Sequence, residues 1–197
     1  STPIILNEMC WSIGSSMICI IVARMGTIVV AANSINNMVN QFATLFMYGL
    51  ASASSVIIGN TIGEGNTNKV KEYANTIALL SVFMGVLAAI IIYTLRPIAI
   101  NFYNVADVTK DIARDIMVAT AIVSIFRSLS ANILTGILRG GGDNKFVFIV
   151  EMICLWCVSI PLGFIGSFVW KLPIVVVFLI IRSDEVLKSI IGLIRLA

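Results

Sequence analysis

Glu8 is a carboxylate inside an apolar run. It stands in Pro3-Ile-Ile-Leu-Asn-Glu8-Met-Cys-Trp-Ser-Ile-Gly14, and the apolar character continues to Ala23. Burying a charge in hydrocarbon costs several kcal/mol, so such an acid is kept for ion, proton or substrate handling, or is paired with a base that fixes helix packing. Asn7 beside it adds an amide. Arg127 lies near the middle of another apolar run, about 18 Å along a helix from Arg139 at 1.5 Å per residue, where a carboxylate or a polar cavity must serve it. Glu151 interrupts a fifth run and Glu185 a sixth. Arg182, Glu185, Lys188 and Arg195 share one helical face, and the i,i+3 pairs Arg182–Glu185 and Glu185–Lys188 can offset one another's charge.

Uncharged polar residues are patterned too. Asn33, Asn37, Asn40, Gln41, Thr44 and Tyr48 recur at spacings of three, four or seven, which places them on one face of a helix. Thr120, Ser124, Ser128, Asn132 and Thr135 form a second stripe with Arg127 beside it. In a membrane helix a polar stripe faces an aqueous cavity or hydrogen-bonds to a neighbouring helix.

Other chemistries find little support. The sequence has no histidine, which removes the commonest general base and metal ligand. Cys154 and Cys157 have C-x-x-C spacing, yet no second pair exists to close a zinc site, and Cys10 and Cys19 also lie in apolar runs. The reading is therefore of small core cysteines, with no metal, no cofactor and no enzyme activity. Gly63-Glu-Gly-Asn-Thr-Asn-Lys-Val-Lys71 lacks both a preceding strand and the G-K-[ST] ending of a phosphate-binding loop. No basic run interleaves with aromatics, so no nucleic-acid partner is expected.

The elements that must position these residues are membrane helices. Of 197 residues, 59% are hydrophobic and 12% charged, and the mean hydropathy is +1.03. A soluble domain carries about 25% charged residues, so this is an all-α polytopic membrane protein with the lipid bilayer as its surroundings. A span needs about 20 apolar residues. Six spans are expected, at about 3–23, 33–59, 76–95, 116–138, 146–170 and 173–194, in one domain covering 1–197. Arg96-Pro97 should close the third span, Pro161 should kink the fifth, and Trp170-Lys171 should anchor a turn at the interface. Ala51 to Ser55 with Gly59 and Gly63 should permit close helix approach. Lys69, Lys71, Arg139, Lys145, Lys188 and Arg195 on one side slightly outnumber Arg24, Arg96, Lys110, Arg114 and Lys171 on the other, which favours the first set as cytoplasmic. The start at Ser1, almost inside a span, reads as a cut in a longer chain.

Gly49-Leu-Ala-Ser-Ala-Ser-Ser-Val-Ile-Ile-Gly-Asn-Thr-Ile-Gly-Glu-Gly-Asn66 and Gly136-Ile-Leu-Arg-Gly-Gly-Gly-Asp-Asn-Lys-Phe146 resemble recurring signatures of the multidrug and toxic compound extrusion (MATE) transporters. Asn7-Glu8 with Trp11 and Gly14, Arg24-Met-Gly-Thr27, Trp156 with Pro161-Leu-Gly163, and Glu185 with Lys188, Gly192 and Arg195 continue the likeness in order. The resemblance implies one six-helix lobe, the second, of a twelve-helix, two-lobe transporter whose first lobe precedes it. It implies export of small molecules by alternating access, coupled to Na⁺ or H⁺, from an inner or plasma membrane. Well-studied members carry a cation-binding glutamate in helix seven and an aspartate in helix ten. Here Glu8 sits about one turn nearer the proline, and Ser128, next to Arg127, stands where the aspartate would be. The expected coupling and cavity residues are Glu8, Asn7, Asn37, Asn40, Gln41, Arg127, Ser128, Asn132, Glu151 and Glu185. The rivals are a flippase for lipid-linked precursors in the same superfamily, a membrane-embedded enzyme and a non-transport scaffold.

Overall fold

The computed structural model describes residues 2–65, 67–103, 105–170 and 172–196; Ser1, Asn66, Asn104, Lys171 and Ala197 lie outside the described residues. Six helices make up the fold: α1 (Thr2–Arg24), α2 (Thr27–Gly63), α3 (Thr67–Phe102), α4 (Asp107–Leu138), α5 (Asn144–Val169) and α6 (Ile174–Leu196). No strand occurs among the described residues. A helix satisfies its own backbone groups, which is the condition for standing in lipid. Five of the six are long and apolar enough to cross a membrane. The sixth, of 23 residues, is long enough but carries Arg182, Asp184, Glu185 and Lys188 at its centre.

Burial is inverted relative to a soluble protein. Leu79, Phe83 and Ile90 of α3 are 75%, 62% and 58% exposed, whereas Asp184 and Lys188 are buried. Apolar side chains outside and charges inside fit a bundle that meets hydrocarbon on its outer surface. Ile35, Met47, Ile92, Ile116 and Met117 pack α2, α3 and α4 together. Ile58, Ile133, Leu134 and Val147 join α2, α4 and α5 in a second cluster. This is a multi-pass integral membrane protein.

Helices α2 and α3 run past the expected spans, and one proline departs from expectation. α2 begins at Thr27 rather than 33, and α3 runs from Thr67 to Phe102 rather than 76 to 95. The added start of α3, 67–75, is polar and extends the helix beyond its apolar stretch, whereas the added start of α2, 27–32, is apolar and continues that helix's own span. At 1.5 Å per residue each is about 55 Å long against a core of about 30 Å. Pro97 lies inside α3 and does not close it. In α5 the backbone widens to π geometry over Ile153–Ser159, just before Pro161. A widened turn makes room for the ring and accommodates the missing N–H. A similar stretch, Asn132–Leu138, ends α4.

Close approach depends on two glycines. A Cβ on Gly85 would lie 2.8 Å from the Ile125 Cα, so α3 and α4 meet backbone to backbone there. One on Gly140 would lie 2.7 Å from the Ser55 Cα. The glycine turn after α4 thus sits directly on the small-residue stretch of α2, the packing its Ala and Ser content predicts.

Candidate functional site

A cavity of about 440 Å³ opens between α1, α4, α5 and α6, with Tyr48 of α2 at its edge. On α4 and its C-terminal cap the wall is Arg127, Ser130, Ala131, Leu134, Thr135 and Arg139. Steps of three and four keep these on one helical face, running about 18 Å from one arginine to the other at 1.5 Å per residue. Four acids, Glu8, Glu151, Asp184 and Glu185, and four bases, Arg127, Arg139, Arg182 and Lys188, line the same space.

The charges are sorted into groups. Arg139 bridges two helices: its Nη1 is 3.4 Å from Glu8 Oε1 and its Nη2 is 3.8 Å from Glu151 Oε2. Asn7 Nδ2 donates to that same Glu151 oxygen. Asn7 is buried, and its Oδ1 has no partner among the described residues. Glu8 is 61% exposed, unlike Glu151 at 17%. On α6, Lys188 Nζ lies 2.7 Å from Asp184 Oδ2, both side chains being buried. The Ser130 hydroxyl donates to Glu185 Oε2 at 2.6 Å. Arg127 Nη2 donates to Tyr48 Oη at 3.5 Å. The Arg182 guanidinium lies over the Phe178 ring, 5.6 Å from its centroid.

Glu8, Asn7, Arg127, Glu151 and Glu185 all line this one cavity. Asn40 borders only a small recess behind it, with Arg127 and Arg182. Asn37 and Gln41 are exposed on α2 and line neither space.

Ser128 and Asn132 are buried elsewhere. The Ser128 hydroxyl donates to the Ser81 carbonyl of α3 at 2.8 Å, and Asn132 Nδ2 donates to the Ser128 carbonyl at 2.8 Å. Ser124 follows the same seam, near the Gly85 carbonyl at 3.4 Å. The stripe at steps of four is thus a helix–helix seam. Neighbouring residues on a helix are about 100° apart, so Arg127 turns to the cavity while Ser128 turns to α3.

One pairing and the placement of two cations differ from the sequence reading, which left the partner of Glu8 open. The base that serves Glu8 is Arg139. Lys188 pairs with Asp184, one residue before the expected Glu185. Neither Arg139 nor Lys188 is a loop cation, since both line the cavity. The i,i+4 spacing of Asp184 and Lys188, and the run 127, 131, 135, 139, were the signals for these residues.

Charged interior, apolar exterior and long helices define a polytopic helical membrane protein organised around a polar cavity. The chain belongs to the MatE family of membrane transporters, whose family model matches residues 3–165. Its fold is similar to that of the Vibrio cholerae MATE transporter VcmN in the bent form, with a TM-score of 0.86 at 13% identity over 99% of this chain and 44% of that one. A MOP superfamily transporter from Pyrococcus furiosus superposes with a TM-score of 0.87 at 17% identity, covering 97% of this chain and 42% of that one. An outward-facing multidrug resistance MATE family transporter gives 0.83 at 14%, over 99% and 45%. The chain spans less than half the length of each of these structures.

Proposed function

We propose that this chain is one six-helix lobe of a cation-coupled exporter of small molecules, working by alternating access against a second lobe of the same natural chain in a plasma or inner membrane. Family membership and a fold shared with whole transporters support the transport reading. The observation that carries the coupling is the Glu8–Arg139–Glu151 cluster. Two carboxylates converge on one guanidinium, leaving one negative charge in excess at the cavity wall. A site one charge short of neutrality can take up and release Na⁺ or H⁺ as the lobes move. Glu8, the more exposed of the two acids, is the member that exchanges the cation, and Glu151, held by Asn7, keeps Arg139 in place.

The test is Glu8→Gln in the full natural chain, reconstituted in proteoliposomes. Arg139 keeps Glu151, so the variant is expected to fold and insert normally while export loses its dependence on the Na⁺ or H⁺ gradient. Gradient dependence equal to the parent's would remove Glu8 from coupling.

A further inference from the structure

Six of the eight cavity charges are accounted for by one another or by a hydroxyl. Arg139 holds Glu8 and Glu151, Lys188 holds Asp184, and Ser130 holds Glu185. Arg127 and Arg182 are different. Among the described residues neither forms an ion pair within 4.0 Å, Arg127 donates a single long hydrogen bond, and Arg182 donates none. A guanidinium has five N–H donors in one plane. Stacking on Phe178 occupies only a face of Arg182 and leaves those in-plane donors available.

The two cations are also set against each other. Both line the main cavity and both line the small recess that Asn40 also borders. Two guanidiniums that share these walls repel each other as like charges. Glu185 answers part of it, being one carboxylate against two guanidiniums with one oxygen already taken by Ser130. This end of the cavity therefore carries one positive charge in excess, as the Glu8 end carries one negative. Two like charges in a low-dielectric interior are held together at a cost that an anion between them relieves.

We propose that Arg127 and Arg182 form an oxyanion subsite, which takes a carboxylate or phosphate group of the transported molecule, with Tyr48 at its rim. The ligand class is an organic anion or zwitterion. The cavity volume of about 440 Å³ falls within the 300–1,000 Å³ or so usual for small-molecule pockets. The word "transported" rests on the function proposed above; the subsite itself does not.

Binding is measured without any ion gradient, on the full natural chain in detergent, by fluorescence anisotropy of rhodamine B and of its ethyl ester. The two dyes share one cationic body and differ in the carboxylate. The parent is expected to bind the acid about tenfold more tightly than the ester, a margin of about 1.4 kcal/mol. Arg127→Gln and Arg182→Gln should each abolish that preference while leaving ester affinity in place. Arg182→Lys, which keeps the charge but loses the planar fork, should retain part of it and serves if the glutamine variants do not fold. Displacement by benzoate points to a soluble anion, and displacement by dioctanoyl phosphatidic acid alone points to a lipid headgroup; both uphold the oxyanion chemistry. Equal affinity for acid and ester, a preference untouched by any of the three variants, or displacement by neither competitor would overturn the subsite. A clear acid preference without gradient-driven export would sink the transport reading and leave the subsite standing.

Discussion

Lys188 and Asp184 form an ion pair one helical turn apart inside the bundle, Nζ to Oδ2 at 2.7 Å, with side chains only 9% and 7% exposed. The pair stands on α6, the helix whose central charges would otherwise deny it a place in the bilayer. Each partner makes the other tolerable, because an unpaired ion in that interior costs far more than the pair does.

Lys188→Met should destabilise the protein by about 3–5 kcal/mol, because it leaves the Asp184 carboxylate buried without its partner. The double variant Asp184→Asn with Lys188→Met should recover most of that loss, since removing both charges together is often near neutral. Unfolding midpoints in detergent decide it. A double variant as unstable as the single one would show that the pair contributes more than mutual neutralisation.

Ser128→Ala should leave export and its gradient dependence intact. Its hydroxyl donates to the Ser81 carbonyl on α3 and not to anything in the cavity. The lost hydrogen bond should lower stability by about 1 kcal/mol. Loss of ion-driven export in a folded Ser128→Ala protein would place this seam within the functional site after all.

Gly85→Leu should separate α3 from α4, since even the first added carbon would meet the Ile125 Cα at 2.8 Å. Overpacking of this kind costs about 1–3 kcal/mol, and more where backbone is the obstacle. A thermal midpoint unchanged from the parent would mean that the two helices can part freely, contrary to their close contact.

Topology gives a separate check. With the four native cysteines removed, Lys110→Cys in intact cells should react with an impermeant thiol reagent and Lys69→Cys should not, the likeness of the two glycine turns to MATE signatures placing the Lys69 side in the cytoplasm, since with Arg139 and Lys188 in the cavity the basic bias no longer favours it. The reverse labelling pattern would invert the orientation.

Composition and residue order were enough to establish a helical membrane bundle, because lipid demands long apolar runs that satisfy their own backbone, as five of the six helices do. They were enough, too, to mark Glu8, Asn7, Arg127, Glu151 and Glu185, because an ionisable or amide group in such a run has few other reasons to be there. The small residues around Ser55 and Gly140 announced a close helix contact in the same way. Helix ends were less legible: α3 begins in the polar stretch 67–75, where hydropathy does not report on helicity, and α2 begins at Thr27, just after the short turn at Gly26.

Partnership was decided only in three dimensions. Arg127 and Arg139 are the same residue type on one face of α4, about 18 Å apart at 1.5 Å per residue, and nothing local says which of them meets Glu8. The packing of α1 and α5 against the far end of α4 gives Glu8 and Glu151 to Arg139 and leaves Arg127 beside Tyr48 and the Arg182 end of the cavity. Ser128 and Arg127 adjoin in sequence yet face different helices. A polar stripe says that its helix needs a polar neighbour; whether that neighbour is a cavity or the backbone of α3 depends on how closely Gly85 lets the two helices approach.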